Sequence, residues 1–168
     1  MSLLTIDIRA AQRSDVAALS AVHYASWQHA YGGLIPYKSL QAMVNRRDHG
    51  WWARAIDRGT SISVIDMGDT ICGYATMGLN RAPTLPQDGE IYELYLLPEY
   101  QGIGLGRRLF NAARQTLQSH GCKGLVVWAL EDNEPANQFY NALDGRDVAQ
   151  GYESFDGKAM RKIAYIWP

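Results

Sequence analysis

A glycine-rich step between a strand and a helix constrains this chain more than any other feature. The run Leu94-Tyr95-Leu96-Leu97-Pro98-Glu99-Tyr100-Gln101-Gly102-Ile103-Gly104-Leu105-Gly106-Arg107-Arg108 begins as a strand, is stopped by a proline, turns briefly and opens a helix with alternating glycines. Backbone amides in the first turn of a helix have no internal partners, and the helix dipole adds positive potential there. The missing side chains of Gly102, Gly104 and Gly106 let an anion approach that backbone closely, and Arg107 and Arg108 add charge. The pattern predicts an anion site, and phosphate is the anion that suits it best.

Two nucleotide loops fail on spacing. A P-loop requires a lysine after its last glycine, and none follows here. The dinucleotide fingerprint G-x-G-x-x-G meets Arg107 where its third glycine belongs, and this loop lies well past the middle of the chain instead of opening a βαβ unit. Three glycines alone would only shape a turn and a helix start, so the segments around them decide.

Residues 5–9 alternate like a short strand. Ser14 or Asp15 can cap a helix that reaches about Tyr31, where Gly32-Gly33 stops it. Pro36 suits the first turn of another helical stretch, and residues 45–57 read as one more, carrying Trp51 and Trp52. From residue 61 the period changes to two. Residues 61–66 and 70–79 are strand-like and joined by Met67-Gly68-Asp69, which favours a hairpin. Residues 90–97 form another strand. Leu105, Leu109, Ala113 and Leu117 mark a helix buried along one face and ending near Gly121. Residues 124–130 are nearly all apolar, as in a strand covered on both faces. A short helix over 134–143 and strands over 146–152 and 158–166, around a Phe155-Asp156-Gly157 turn, complete the reading.

With 168 residues and no linker or repeat, residues 1–168 read as a single α/β domain. A net charge of -1 offers no basic surface to track nucleic acid. No apolar run approaches the ~20 residues that cross a bilayer, and no basic stretch precedes an apolar core at the N-terminus, so neither a membrane nor a secretory leader is expected. Met1 to Leu3 is compatible with a cloning remnant. Cys72 and Cys122 fit reduced thiols in a cytoplasmic protein. The four histidines have no ligand-like spacing, so no metal is expected.

The loop resembles the Q/R-x-x-G-x-G/A signature of the GNAT family of N-acetyltransferases, met as Gln101-Gly102-Ile103-Gly104-Leu105-Gly106. Downstream, Asn133-Glu134-Pro135-Ala136-Asn137-Gln138-Phe139-Tyr140 resembles the family's N-x-x-A-x-x-F-Y segment, with Gly145 in place of its usual glycine. The likeness covers residues 62–167 by element order and is motif-specific over 94–145. It implies an α+β fold with a mixed, mostly antiparallel sheet of about six to seven strands flanked by helices and splayed between the fourth and fifth strands. It also implies acetyl-CoA as co-substrate, without a metal. The diphosphate would lie on Gln101 to Arg107, and the pantetheine arm along Leu94 and Leu96. Asn133 and Asn137 match positions that contact that arm.

Acyl transfer to an amine needs a neutral amine, a polarised thioester carbonyl and a proton for the departing thiolate. By resemblance, the Leu96 N–H sits near the thioester oxygen and Tyr140 beside the sulfur, where a phenol can act as general acid. Alone, Tyr140 would read as an aromatic packed beside Phe139. Glu90 and Glu93 are candidate general bases. Their separation places them on opposite faces of a regular strand, so one at most reaches the acceptor cleft unless a bulge intervenes. Glu93 is preferred. Where ribosomal-protein N-terminal acetyltransferases carry a glutamate on the fifth strand, this chain has Trp128.

On the acceptor side the resemblance gathers Trp27, Tyr31, Tyr37, Trp51, Tyr92, Tyr95, Tyr152 and Phe155, with Glu153 and Asp156 nearby, which suits a small-molecule or peptide amine. Trp52 reads as core, and Trp27 and Tyr31 fit either role. Two functions follow: an active N-acetyltransferase, or an acetyl-CoA-binding sensor or assembly module without transfer. A homodimer through the last strand, with Tyr165 and Trp167 at its edge, is expected by analogy.

Overall fold

A computed structural model describes residues 5–168, so Met1 to Leu3 lies outside the described residues. Seven strands form one sheet: β1 (Asp7–Ala10), β2 (Ser61–Asp66), β3 (Ile71–Leu79), β4 (Gly89–Leu96), β5 (Leu125–Leu130), β6 (Arg146–Phe155) and β7 (Lys158–Trp167), in the order β1-β2-β3-β4-β5-β7-β6. Every neighbouring pair is antiparallel except β4 and β5. The helices are α1 (Val16–Tyr31), α2 (Tyr37–Arg46), α3 (His49–Asp57), α4 (Leu105–Ser119) and α5 (Glu134–Ala142).

Strand alternation sorts the core into two faces. Ile62, Val64 and Tyr74 turn to Leu19 and Val22 of α1 and to Trp52 of α3. Ile65, Ala75, Met77 and Ile91 turn to the apolar stripe of α4, where Leu109, Phe110 and Ala113 are buried. Trp52 is core, as expected.

Local differences have local causes. Asp15 stands at the N-cap of α1, but its side chain makes no bond to the helix. Its carboxylate instead accepts hydrogen bonds from Arg9 Nη1 (2.8 Å) and Gln12 N (2.7 Å). The helix expected over 45–57 divides, because Asp48 accepts from Trp51 N at 2.8 Å and starts α3 as its N-cap. The last hairpin turns at Asp156 and Gly157, both at positive φ (50° and 81°), so β6 extends to Phe155.

One expectation is overturned. The last strand, β7, is not an edge, because it pairs with β5 on one side and β6 on the other. Tyr165 and Trp167 are correspondingly buried, and β6 forms the sheet's edge on this side, with β1 at the other.

The seam between β4 and β5 decides where a site can form. The two strands pair only at Gly89, Glu90 and Ile91. Opposite β3, Ile91 faces Met77 while Glu93 faces Thr76, which leaves Tyr92 as a bulged residue. Beyond that bulge β4 and β5 part. The bulge also settles the glutamate geometry: Glu90 pairs with Gly78 and Glu93 with Thr76, so both carboxylates share one face of the sheet.

Candidate active site

The glycine loop opens on a single turn of 3-10 helix at Pro98 to Tyr100. Gly102 (φ 80°) and Gly104 (φ 89°) are both left-handed, and none of the described residues lies within 4 Å of where a Cβ would stand. Backbone shape and open space are thus both provided by glycine. Gly106 serves otherwise: a Cβ there would sit 3.3 Å from the Phe139 ring, so this glycine lets α4 pack close to α5. Arg108 N donates to Gly104 O at 3.3 Å, and the first-turn amides before it have no helical acceptor. Gln101 Nε2 donates to Leu96 O at 3.2 Å, tying the loop to the end of β4.

A cavity of ≈ 570 Å³ runs from this loop into the gap between the parted strands. Gln101, Gly102, Gly104, Gly106 and Arg107 line its mouth, and Leu94 and Leu96 face Val127 and Ala129 along it. Ile103 turns its side chain to solvent and Leu105 into the core, so either can offer only its amide. Leu97 N donates to Cys72 O of β3 at 2.8 Å. Backbone direction alternates along a strand, so the amides of Leu94 and Leu96 point away from β3, into the gap.

Two of the residues expected at and within α5 reach this cavity, its N-cap Asn133 and Tyr140. Asn133 caps the helix by accepting from Ala136 N at 3.4 Å. Tyr140 is buried beside Phe139, with ring centroids 5.3 Å apart, and Tyr165, at 5.7 Å. Its hydroxyl has no hydrogen-bond partner among the described residues, and burial pushes its pKa well above the usual phenol range. Asn137 is not brought to the cavity. Its amide nitrogen donates to Leu130 O, Glu131 O and Asn133 O, and its oxygen accepts from Tyr165 Oη at 2.6 Å.

A second cavity of ≈ 410 Å³ meets the first at Tyr31, Tyr92, Glu93, Tyr95, Trp128 and Ala129, which line both. At the junction the Tyr31 and Tyr95 hydroxyls lie 2.8 Å apart. Glu93 accepts from Arg47 Nη1 (3.0 Å), Tyr74 Oη (3.1 Å) and Thr76 Oγ1 (3.2 Å). Glu90, with its side chain only 2% exposed, accepts from Arg81 Nη2 (2.9 Å) and Arg81 N (3.0 Å). Burial raises the phenols of Tyr31, Tyr74 and Tyr95, so all three keep their protons at neutral pH.

Trp27, Trp51 and Phe155 join this lining, as expected of an aromatic cleft, whereas Tyr37 and Tyr152 face solvent. Glu153 lines the cavity and pairs with Lys162 at 3.3 Å; Asp156 lies off it, accepting from Ser39 Oγ at 2.6 Å. Arg47, Tyr74 and Arg81 were not anticipated. The signal for Tyr74 and Thr76 is their alternation on the strand beside Glu93, but register between strands is not written in either one alone. Among the described residues no group of three His, Cys, Asp or Glu side chains is placed to hold a metal, and no helix is long and apolar enough to cross a membrane.

Behind the cleft His23 is buried between Trp27 and Trp52, at ring centroid distances of 5.1 Å and 6.2 Å. Its Nδ1 has no partner among the described residues, and burial, helped by the charge of Arg47, pushes its pKa down to about 3. Folding thus favours the neutral ring. Its stabilising contribution is complete above the ordinary value of 6.5 and declines as pH falls toward about 3. Denaturant titrations between pH 7 and 4 should show stability falling by up to about 1.4 kcal/mol per pH unit from this one proton. The slope should be shallower by that amount in His23→Leu, and equal slopes would refute this assignment.

Comparison with known proteins agrees with this geometry. Residues 22–144 match the family model of the Acetyltransferase (GNAT) family. An uncharacterized N-acetyltransferase of Bacillus subtilis, YuaI, is 29% identical over 163 residues, covering 97% of this chain and 93% of that protein. A probable N-acetyltransferase of Mycobacterium tuberculosis is 30% identical over 145 residues, covering 83% of this chain and 79% of that one. In fold, the chain is similar to the PaiA N-acetyltransferase of Thermoplasma acidophilum solved in complex with coenzyme A, with a TM-score of 0.72 at 18% identity over 95% of this chain and 98% of that one.

Proposed function

Because the chain belongs to the GNAT acetyltransferase family, we propose that it moves the acetyl group of acetyl-CoA directly onto a primary amine of a small molecule or peptide, with both substrates bound at once. The observation that carries this reading is the meeting of two cavities, one opening on the glycine loop and one aromatic, at Tyr31, Glu93, Tyr95 and Trp128.

The residues present fit acetyl-CoA. Left-handed Gly102 and Gly104, the unpartnered first-turn amides and Arg107 suit a diphosphate, and the amides of Leu94 and Leu96 suit an extended polar arm lying where β4 and β5 part. The bound thioester supplies an activated acetyl group. The Leu96 N–H is aimed to stabilise negative charge developing on its carbonyl oxygen. Tyr140, unpartnered and protonated, is the acid for the departing thiolate. Of the two glutamates only Glu93 lines both cavities, so we assign to it the amine's proton, taken through water. Glu90, held by Arg81, fixes the cleft floor. Asn133 lines the arm's path, while Asn137 clamps the loop ahead of α5.

We read residues 1–168 as one acetyltransferase domain acting in the cytoplasm with both cysteines reduced, as their unbridged state allows. If copies pair through a sheet edge, β6 and not β7 is the strand available on this side.

An acceptor screen tests the proposal against a sensor or assembly role. Purified protein given acetyl-CoA and a panel of amines should release the coenzyme A thiol in step with acetylated amine. Tight acetyl-CoA binding without thiol release from any amine would return the non-catalytic reading.

A further inference from the structure

The cations lining the acceptor cavity are not all neutralised. Three of them face carboxylates: Arg47 pairs with Glu93, Arg81 with Glu90 and Lys162 with Glu153. The fourth, Arg58, follows the end of α3 and has no carboxylate partner among the described residues. Arg47 is itself only partly used. Its guanidinium stacks 3.8 Å over the Trp51 ring and gives Nη1 to Glu93, while its other donors have no partner among the described residues. The wall therefore carries one positive charge more than its three carboxylates balance, and guanidinium donors that no group among the described residues takes flank the two ends of α3.

An acceptor with a single positive amine would leave that excess in place. One carrying an anion beside its amine would satisfy it, because guanidinium groups bind carboxylate and phosphate through planar, charge-assisted hydrogen bonds. We infer that the acceptor is an amine bearing an anionic group, of the amino-acid type, whose amine lies at the junction by Glu93, Tyr31 and Tyr95 and whose anion is taken by Arg58 and the free donors of Arg47. The aromatic lining by Trp27, Trp51 and Trp128 leaves room for the acceptor's apolar side chain. This inference rests on the acetyltransfer reading and narrows its substrate class.

The test compares matched acceptors. Common L-amino acids are run beside their carboxamides and their decarboxylated amines, and O-phosphoethanolamine beside ethanolamine, with kcat/KM read from thiol release. A carboxylate-bearing or phosphate-bearing acceptor should exceed its neutral counterpart by about tenfold or more, the usual effect of charged hydrogen bonds; which series does so identifies the anion. Arg58→Gln, a change at an exposed position, should reduce the anionic acceptor more than its counterpart and so shrink that ratio. Preference for the uncharged or decarboxylated amines, or an equal loss for both members of a pair in Arg58→Gln, would overturn the inference and leave acetyltransfer standing. Thiol release from none of these acceptors would overturn the inference, and only failure across the wider panel of amines and peptides would overturn acetyltransfer as well.

Discussion

Replacing Gly104 by glutamate should abolish coenzyme A binding in a protein that still folds. Gly104 sits at the N-cap of α4 with φ 89°, and open space faces the missing Cβ. A side chain there meets no clash. The left-handed backbone costs an L residue about 1–2 kcal/mol, and a carboxylate near the helix N-terminus recovers part of it through the dipole. The same carboxylate would stand where the diphosphate must sit. Like charges about 4 Å apart at an effective dielectric constant of about 20 repel by about 4 kcal/mol, or about a thousandfold in Kd. Calorimetric titration with coenzyme A should show binding lost, while the melting temperature falls by only a few degrees. Gly104→Ala imposes the same backbone strain without the charge and should keep most of the affinity. Ordinary coenzyme A binding by Gly104→Glu would mean that the diphosphate lies elsewhere.

Tyr140→Phe should separate chemistry from binding. The hydroxyl has no partner among the described residues, so its removal breaks no protein hydrogen bond, and the ring keeps its packing against Phe110, Phe139 and Tyr165. Stability should hold. A lost general acid lowers turnover by about a hundredfold or more, so kcat should fall by that order while KM for acetyl-CoA stays close to wild type. Burial raises the Tyr140 pKa, so the phenol stays protonated past the ordinary tyrosine value of about 10. Any decline in kcat below that pH belongs to another group and should persist in Tyr140→Phe. An unchanged kcat would remove Tyr140 from the reaction.

Sequence reading went furthest where the chain's own local chemistry decides the outcome. Alternating glycines after Pro98, the four-residue stepping of Leu105, Leu109, Ala113 and Leu117, and the glycine turn after Asp66 were all legible because each depends on neighbours in sequence. What escaped it was register. The bulge at Tyr92, which both parts β4 from β5 and turns Glu90 and Glu93 to one face, exists only through the pairing of Ile91 and Glu93 with Met77 and Thr76. Strand order was equally hidden: β7 inserts between β5 and β6, so aromatic Tyr165 and Trp167, which suggested an edge, are interior. Asn137 shows the limit of transferring a motif residue by residue. It stands in the expected place, yet its amide is engaged by Leu130, Glu131, Asn133 and Tyr165. On the acceptor side, Arg47 reaches Glu93 from the break between α2 and α3, a contact no spacing announces.

The site's geometry can be tested most directly by a crystal structure with bound coenzyme A. The diphosphate should rest on the amides between Gly102 and Arg107, the arm should run between Leu94–Leu96 and Val127–Ala129, and the sulfur should lie beside the Tyr140 hydroxyl. Coenzyme A bound away from that loop, or a sulfur remote from Tyr140, would contradict it.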